Sequence, residues 1–278
     1  MNADLTQEEI DRSRYKLQAA PPDSWRTYDE HDPIPGYYQF DWLSSRHPDL
    51  YHRFALSTDG LMQKLHTLFD LSDRVVLDIG AGTGRSAVGA AEKAKRVFAL
   101  ELYQSVVMFG NNRLRQTRTT NVHYVNGDRE HLPFPPNSVD VVINAWAELN
   151  PLEACRVLKP NGWLIQMGAI PNGMSGELTS LVAPDFPWLP PDCAPAEVFD
   201  PGCPDTTSTA DSSIWNGIPL TGPIDIRQFT YVADYGDYAE AAAITGRLLG
   251  PKAKQYFLSR KQSTFSWRLQ IMMGRVSK

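Results

Sequence analysis

Between Arg74 and Ile170 the chain alternates short apolar runs with polar segments that repeat at helical spacing. The runs "VVLDI" (75–79), "RVFALE" (96–101), "VDVVINAW" (139–146) and "GWLIQMGAI" (162–170) are largely apolar, and the more mixed "NVHYVNGD" (121–128) reads as the third strand among them. Strands that are covered on both faces read this way. The small residues of Arg85–Ala94, the stretch from Gln104 to about Gln116, and "PLEACRVL" (151–158) predict helices between them. Ahead of the first strand Leu61, Met62, Leu65, Leu68 and Phe69 recur at helical spacing, which predicts an amphipathic helix. Further on, "IDIRQFTYVADYG" and "STFSWRLQIMMGRV" predict two more strands enclosing two helices. Asp237-x-x-Glu240 caps the first helix, Gly250-Pro251 ends it, and the second reaches about Lys261. Strands alternating with helices mean an α/β fold with a mostly parallel, doubly wound sheet of seven strands and helices on both faces. Ligands of such sheets bind beyond the carboxyl ends of the strands, where the strand order reverses.

The flanks break this rhythm. Thr6-x-x-Glu9 predicts a short helix to about Ala19, and residues 20–50 then hold five prolines among many aromatics, too broken for a long element. Residues 171–223 are rich in proline, and both an ordered lid and loose decoration remain open for them. The expected division is therefore an N-terminal cap over 1–57 and one domain over 58–278, with 171–223 as an insertion after the fifth strand. Composition narrows the function. A chain of 278 residues that is 42% hydrophobic suits one sizeable core with elaborations. A net charge of −5 argues against nucleic acid as the main partner, although a local basic patch stays possible. Three cysteines, Cys155, Cys193 and Cys203, point to a reduced compartment, and Cys193 and Cys203 have no intervening histidine to suggest a metal site. The polar N-terminus and the lack of a long apolar run predict a cytoplasmic protein without a membrane span. Oligomeric state is not legible.

The chemistry concentrates behind the first strand. Asp78, Gly80, Gly82 and Gly84 form D-x-G-x-G-x-G, where missing side chains let a ligand approach the backbone at the start of a helix. The dinucleotide fingerprint G-x-G-x-x-G does not fit, because Arg85 stands where its third glycine is needed. The pattern resembles motif I of the class I S-adenosylmethionine-dependent methyltransferases. Glu101 ends the second strand where that family places a ribose-binding acid, and Leu102 follows it against the adenine. "NGDREHLPFPPNSVDVV" resembles the G-D-x-x-x-L-P-F-x-x-x-x-F-D-x-V stretch of quinone-biosynthesis members, with Val139 replacing an aromatic residue. "RVLKPNGWLI" (156–165) resembles their turn into the fifth strand, with Asn161 for a glycine.

The resemblance covers about 90 residues, 74–165. It implies S-adenosyl-L-methionine as cofactor, a Rossmann-like sheet whose last strand is antiparallel, and a methyltransferase acting on an O, N, S or C atom of a small molecule. It further implies cofactor contacts from Asp78, Gly80, Ala81, Gly82, Gly84, Glu101, Leu102, Asp128, Arg129 and Asn144. Two alternatives stay open: a cofactor-binding or regulatory protein without turnover, and a methyltransferase acting on RNA or protein. Between Asp140 and Arg156 the chain is shorter than the family by roughly ten residues, which leaves the acceptor side open or filled from elsewhere. The aromatics Trp25, Tyr28, Tyr37, Tyr38, Phe40 and Trp42 and, later, Phe186, Trp188 and Trp215 are the available fillers. A sulfonium methyl is already activated, so a base is needed only if the acceptor must lose a proton. His31, Tyr37, His131 and Glu148 are the candidates, and no catalytic residue is assigned.

Overall fold

The computed structural model describes residues 44–45, 47–169, 204–215 and 217–278. The helix expected before Ala19, the aromatics between Trp25 and Trp42, His31, Phe186, Trp188, Cys193 and Cys203 lie outside these residues. All five apolar runs are strands: β1 Val75–Ile79, β2 Arg96–Glu101, β3 Val122–Asn126, β4 Val139–Ala145 and β5 Leu158–Ala169. The later strands are β6 Thr206–Ala210, β7 Ile214–Trp215, β8 Ile218–Pro219, β9 Ile224–Asp234 and β10 Thr264–Arg275. The helices are α1 Pro48–Ala55, α2 Gly60–Leu68, α3 Arg85–Ala91, α4 Gln104–Thr117, α5 Pro151–Val157, α6 Tyr238–Leu249 and α7 Pro251–Arg260.

The main sheet has the order β3-β2-β1-β4-β5-β10-β9-β6. The first five strands are parallel, β10 is antiparallel to both β5 and β9, and β6 is antiparallel to β9. The sheet therefore has eight strands where the sequence predicts seven. The extra one, β6, lies inside the stretch expected to be loop-rich. Its "TTSTA" carries no apolar alternation and sits almost fully exposed on the sheet edge, so burial leaves no trace in its sequence. The last strand is antiparallel, as the resemblance implies.

The two sheet faces are covered unequally. Helices α2, α3, α4, α6 and α7 place Leu61, Leu65, Ala87, Leu114, Ala241 and Phe257 in one apolar cluster with Val76, Ile143 and Ile271 of the sheet. The other cluster joins Leu77, Val142 and Leu164 to Ala154 and Val157 of α5 and to Trp215 and Ile218 of the β7–β8 hairpin. Among the described residues α5 is the helix of that second face, and it is seven residues long. Trp215, one of the expected fillers, is buried there against Gly274, where an added Cβ would lie 2.8 Å from its ring. It is core. The order reverses between β1 and β4, and their carboxyl ends bring Ile79 beside Asn144.

Candidate active site

At the end of β1 the chain turns through Gly80, Gly82 and Gly84 with φ of +72°, +53° and +82°, a region that side chains resist. The Gly80 and Ala81 N–H groups donate to the Leu100 carbonyl at 3.0 and 2.9 Å, which stitches the loop to β2. A Cβ on Gly80 would stand 2.4 Å from that of Ala147, and one on Gly84 2.3 Å from the Tyr124 hydroxyl. These two glycines are required by packing alone. Gly82 differs: a Cβ there would face Tyr51 at an ordinary 3.5 Å, within the crevice.

Glu101 ends β2 beside this loop and is 8% exposed. Its Oε2 accepts the Gly82 N–H at 2.9 Å and its Oε1 the Tyr103 N–H at 3.0 Å. A carboxylate has about four acceptor directions, so both oxygens can accept further hydrogen bonds. Asn126, which the sequence reading did not single out, donates through Nδ2 to the carbonyls of Glu101 and Leu102 at 3.0 and 2.8 Å. It fixes the bend that presents both residues.

Asp78 is fully buried. Its Oδ2 accepts the Ser86 hydroxyl at 2.6 Å, and its Oδ1 has no partner among the described residues. Burial pushes its carboxyl up to about 7; the Ser86 hydrogen bond opposes this and the charge of Glu101 reinforces it. A buried acid with one unpartnered oxygen beneath a glycine loop is a candidate partner for a cation that enters the loop.

Asp128 follows β3 and accepts the Glu130 N–H at 3.0 Å. Arg129 turns its guanidinium to Glu130, 3.0 Å away, and to Glu148. Glu148, a candidate base, is therefore held in an ion pair. Asn150 caps α5 by accepting the N–H groups of Leu152 and Glu153, while its Nδ2 donates to Glu130 at 2.7 Å. These bonds tie the short segment after β4 to the loop after β3. His131 is exposed. The matched motifs also hold each other: Arg156 donates to the carbonyls of Leu132 and Phe134 at 2.9 and 2.7 Å, and Asp140 accepts from Lys159 and the Val75 N–H, both at 2.8 Å. Asn161 takes the left-handed conformation (φ +60°) at the glycine position it replaces.

The sequence reading missed the wall opposite the glycine loop, which comes from α1 and the turn after it. Tyr51, Thr58 and Asp59 line a crevice of about 60 Å³ with Gly82, Thr83 and Arg85, and Trp146 closes its far end. Arg85 makes a bidentate ion pair with Asp59. His52 pairs through Nδ1 with the Thr83 hydroxyl at 3.0 Å, and its Nε2 lies 3.3 Å from Arg85. Burial, then the charges of Arg113 and Arg85, push His52 down to about 3. It is neutral at pH 7, so Nε2 accepts from Arg85 and the Nδ1–H donates to Thr83. Tyr124 fits between Gly84 and Gly110, and its hydroxyl donates to the Gly82 carbonyl at 3.1 Å.

Gly80, Ala81 and Gly82 thus line the crevice, Asp78 and Glu101 are buried behind them, and Leu102 and Asp128 stand at the ends of the adjoining strands. Asn144 is buried and donates to the Ile79 carbonyl at 3.3 Å. Arg129 is occupied by its two glutamates. Residues 76–162 match the family model described as a methyltransferase domain. The chain is 36% identical over 94 residues to the biotin biosynthesis bifunctional protein BioHC of Cellvibrio japonicus, a match covering 31% of this chain and 18% of that protein. It is 32% identical over 97 residues to demethylmenaquinone methyltransferase of Tropheryma whipplei, covering 32% of this chain and 39% of that one. The chain thus spans well under half of the length of these relatives. The YcgJ protein of Bacillus subtilis superposes with a TM-score of 0.48 at 14% identity, over 80% of this chain and 99% of that one. Over residues 76–162 the chain is therefore similar to methyltransferase domains. Among the described residues no helix is long and apolar enough to cross a membrane.

Proposed function

We propose that this chain is an S-adenosylmethionine-dependent methyltransferase acting on a small molecule. The observation that carries the reading is the juxtaposition of a buried acid with an unpartnered oxygen, Asp78 Oδ1, and a carboxylate fixed by backbone N–H groups, Glu101, beside the glycine loop. These groups fit the cofactor. Asp78 would hold its ammonium, Glu101 its ribose hydroxyls, and Leu102 and Asp128 would flank its adenine, with Gly82 leaving room for the methionyl part. When bound, the cofactor supplies an activated sulfonium methyl. The chain's own task is alignment and exclusion of water, and the Tyr51–Thr58–Asp59 wall supports both.

A small-molecule acceptor is supported by the "LPF" stretch, by the net charge of −5, and by the likeness to a relative named for demethylmenaquinone. A cytoplasmic setting belongs to the same proposal and rests on the odd number of cysteines. The alternative of a binding protein without turnover drew on the short segment after β4. That segment is tied down by the Asn150–Glu130 and Arg129–Glu148 contacts, so shortness does not make it loose.

The test is calorimetry with S-adenosylmethionine and S-adenosylhomocysteine, followed by transfer from methyl-labelled cofactor into a fractionated cell extract. Binding with label in the small-molecule fraction is expected. Label in protein or RNA overturns the acceptor class, binding without any transfer supports the regulatory alternative, and no binding overturns the whole reading.

A further inference from the structure

Helix α1 and the turn after it bridge two parts of the molecule. On one side they meet the glycine loop. His52 pairs with the Thr83 hydroxyl and with Arg85, and its ring lies 5.7 Å from that of Phe109 on α4. Asp59, at the end of the turn, takes the Arg85 guanidinium in two hydrogen bonds. On the other side α1 meets the antiparallel half of the sheet. Phe54 is 6% exposed and shares an apolar cluster with Tyr235, the residue after β9, whose hydroxyl donates to the Phe54 carbonyl at 3.2 Å. Arg53 donates through Nε to Glu240 of α6 at 2.8 Å. Gly60 then starts α2 flat against β9, where a Cβ would stand 2.2 Å from the Tyr231 ring.

The two sides are unlike. Parting α1 from β9 and α6 exposes Phe54 and the Tyr235 ring to water, which is unfavourable for apolar surface. The glycine-loop side is held chiefly by polar side-chain contacts, which water replaces at small net cost. The crevice between α1 and the loop holds about 60 Å³, whereas sites for drug-sized ligands run to roughly 300–1,000 Å³. The arrangement is therefore closed, and a ligand of that size enters only when one side parts. The Asp59–Arg85 side parts more easily, and the charges there decide how readily. The Arg85 side chain is 13% exposed and that of Asp59 35%. Arg113 of α4 stands close enough for its charge to repel Arg85 and to be attracted by Asp59, so one carboxylate offsets two guanidinium groups. Neutralising it strands a mostly buried cation and drives the two walls apart.

We propose that α1 is a gate over the crevice, pivoting on the Phe54–Tyr235 contact and latched by the Asp59–Arg85 pair, and that this latch sets the rate at which the cofactor enters and leaves. That the entering ligand is the cofactor rests on the methyltransferase reading above. Asp59 and Arg85 are positioning residues, acting through the place of α1. A latch that holds α1 equally with and without ligand slows entry and exit together, so its strength cancels from the equilibrium constant.

Stopped-flow fluorescence of the full chain with S-adenosylhomocysteine tests this, alongside hydrogen exchange of α1 and α2. Asp59→Asn keeps the shape of the side chain and removes its charge. It should raise both the association and the dissociation rate by about fivefold or more, hold the dissociation constant within about threefold, and speed exchange in α1 but not in α2. Arg85→Lys keeps the charge, loses the two-pronged geometry, and should raise both rates by less. Arg53→Gln, at the exposed pair on the pivot side, should leave both rates within about twofold. A fixed wall gives a different result: weaker binding through dissociation alone, with exchange in α1 unchanged. That result, or unchanged rates, in Asp59→Asn and Arg85→Lys overturns the gate. Failure of S-adenosylhomocysteine to bind the native chain is a separate result: it removes the methyltransferase reading, and exchange in α1 of the two variants still decides the latch.

Discussion

The Gly82 N–H donates to Glu101 Oε2 at 2.9 Å, so the glycine loop after β1 and the acid at the end of β2 form one hydrogen-bonded unit. A change in either residue is felt by the other. Glu101→Ala removes the acceptor for both Gly82 and Tyr103 along with the proposed ribose contact. It should weaken S-adenosylhomocysteine binding by roughly 1–3 kcal/mol and also lower thermal stability. Glu101→Gln keeps one acceptor oxygen and should cost less in both. Calorimetry and thermal melting of the two variants check this; equal affinities for the native chain and Glu101→Ala would place the ribose elsewhere.

Gly84 and Tyr124 should be coupled. A methyl on Gly84 meets the Tyr124 hydroxyl at 2.3 Å, so Gly84→Ala destabilises both through that clash and through its φ of +82°. Tyr124→Phe removes the clashing oxygen and the bond to the Gly82 carbonyl. The double variant should be more stable than the sum of the single losses by about 1–2 kcal/mol, measured by denaturant titration. Strict additivity would show that backbone strain alone is felt. By contrast Gly82→Ala, whose methyl has ordinary room, should spare stability more than Gly84→Ala does and spend its effect on cofactor binding.

Asp78 should make both stability and binding depend on pH. Its folded value near 7 lies above the ordinary carboxylate value of 3.8, so between these the unfolded chain releases a proton that the folded chain keeps. Stability from this group is full below about pH 4, falls as pH rises, and reaches its low level above about pH 7. Asp78→Asn abolishes that slope. The difference in unfolding free energy between variant and native chain should therefore shift in favour of the variant by about 2–4 kcal/mol from pH 4 to pH 8. If the cofactor's ammonium pairs with Asp78, binding near pH 6 must release a proton. Calorimetry in buffers of different ionisation heat should detect that release in the native chain and lose it in Asp78→Asn.

The legible part of this molecule is the part built from repetition. Strands β1, β2 and β4 are apolar because both sheet faces bury them, whereas the edge strand β3 is mixed, and α3 is made of small residues because Ala87 and Ala90 are pressed against the sheet. Helix α1 was missed because the prolines of residues 20–50 suggest a broken chain, yet Pro48 stands in the first turn, where its missing N–H costs nothing. The role of Tyr124 depends on Gly84 and Gly110, which only tertiary packing brings to it. Asn144 and Gln270 are buried amides inside "VVINAW" and "RLQIMM", and a buried polar residue in an apolar strand is an informative exception that the sequence does carry.

The segment after β4 offers a way to separate structure from function at one residue. Asn150 accepts two N–H groups at the start of α5 and donates to Glu130, so it serves as a helix cap and as a tie between two loops. Asn150→Ala loses both roles and should cost about 1–2 kcal/mol of stability. Aspartate is as good a cap as asparagine, but it cannot donate to Glu130 and instead sets a second negative charge beside it. Asn150→Asp should therefore keep much of the helix while releasing the loop that carries Trp146 and Ala147. The Arg129–Glu148 pair is partly exposed and salt-screened, so it contributes little to replacing that tie. The expected signature is a larger proportional loss of S-adenosylhomocysteine affinity than of stability in Asn150→Asp, partly restored by added salt, which screens the new repulsion. Native affinity in Asn150→Asp alongside a destabilised Asn150→Ala would mean that the cap alone matters and that the loop holds its place without Glu130.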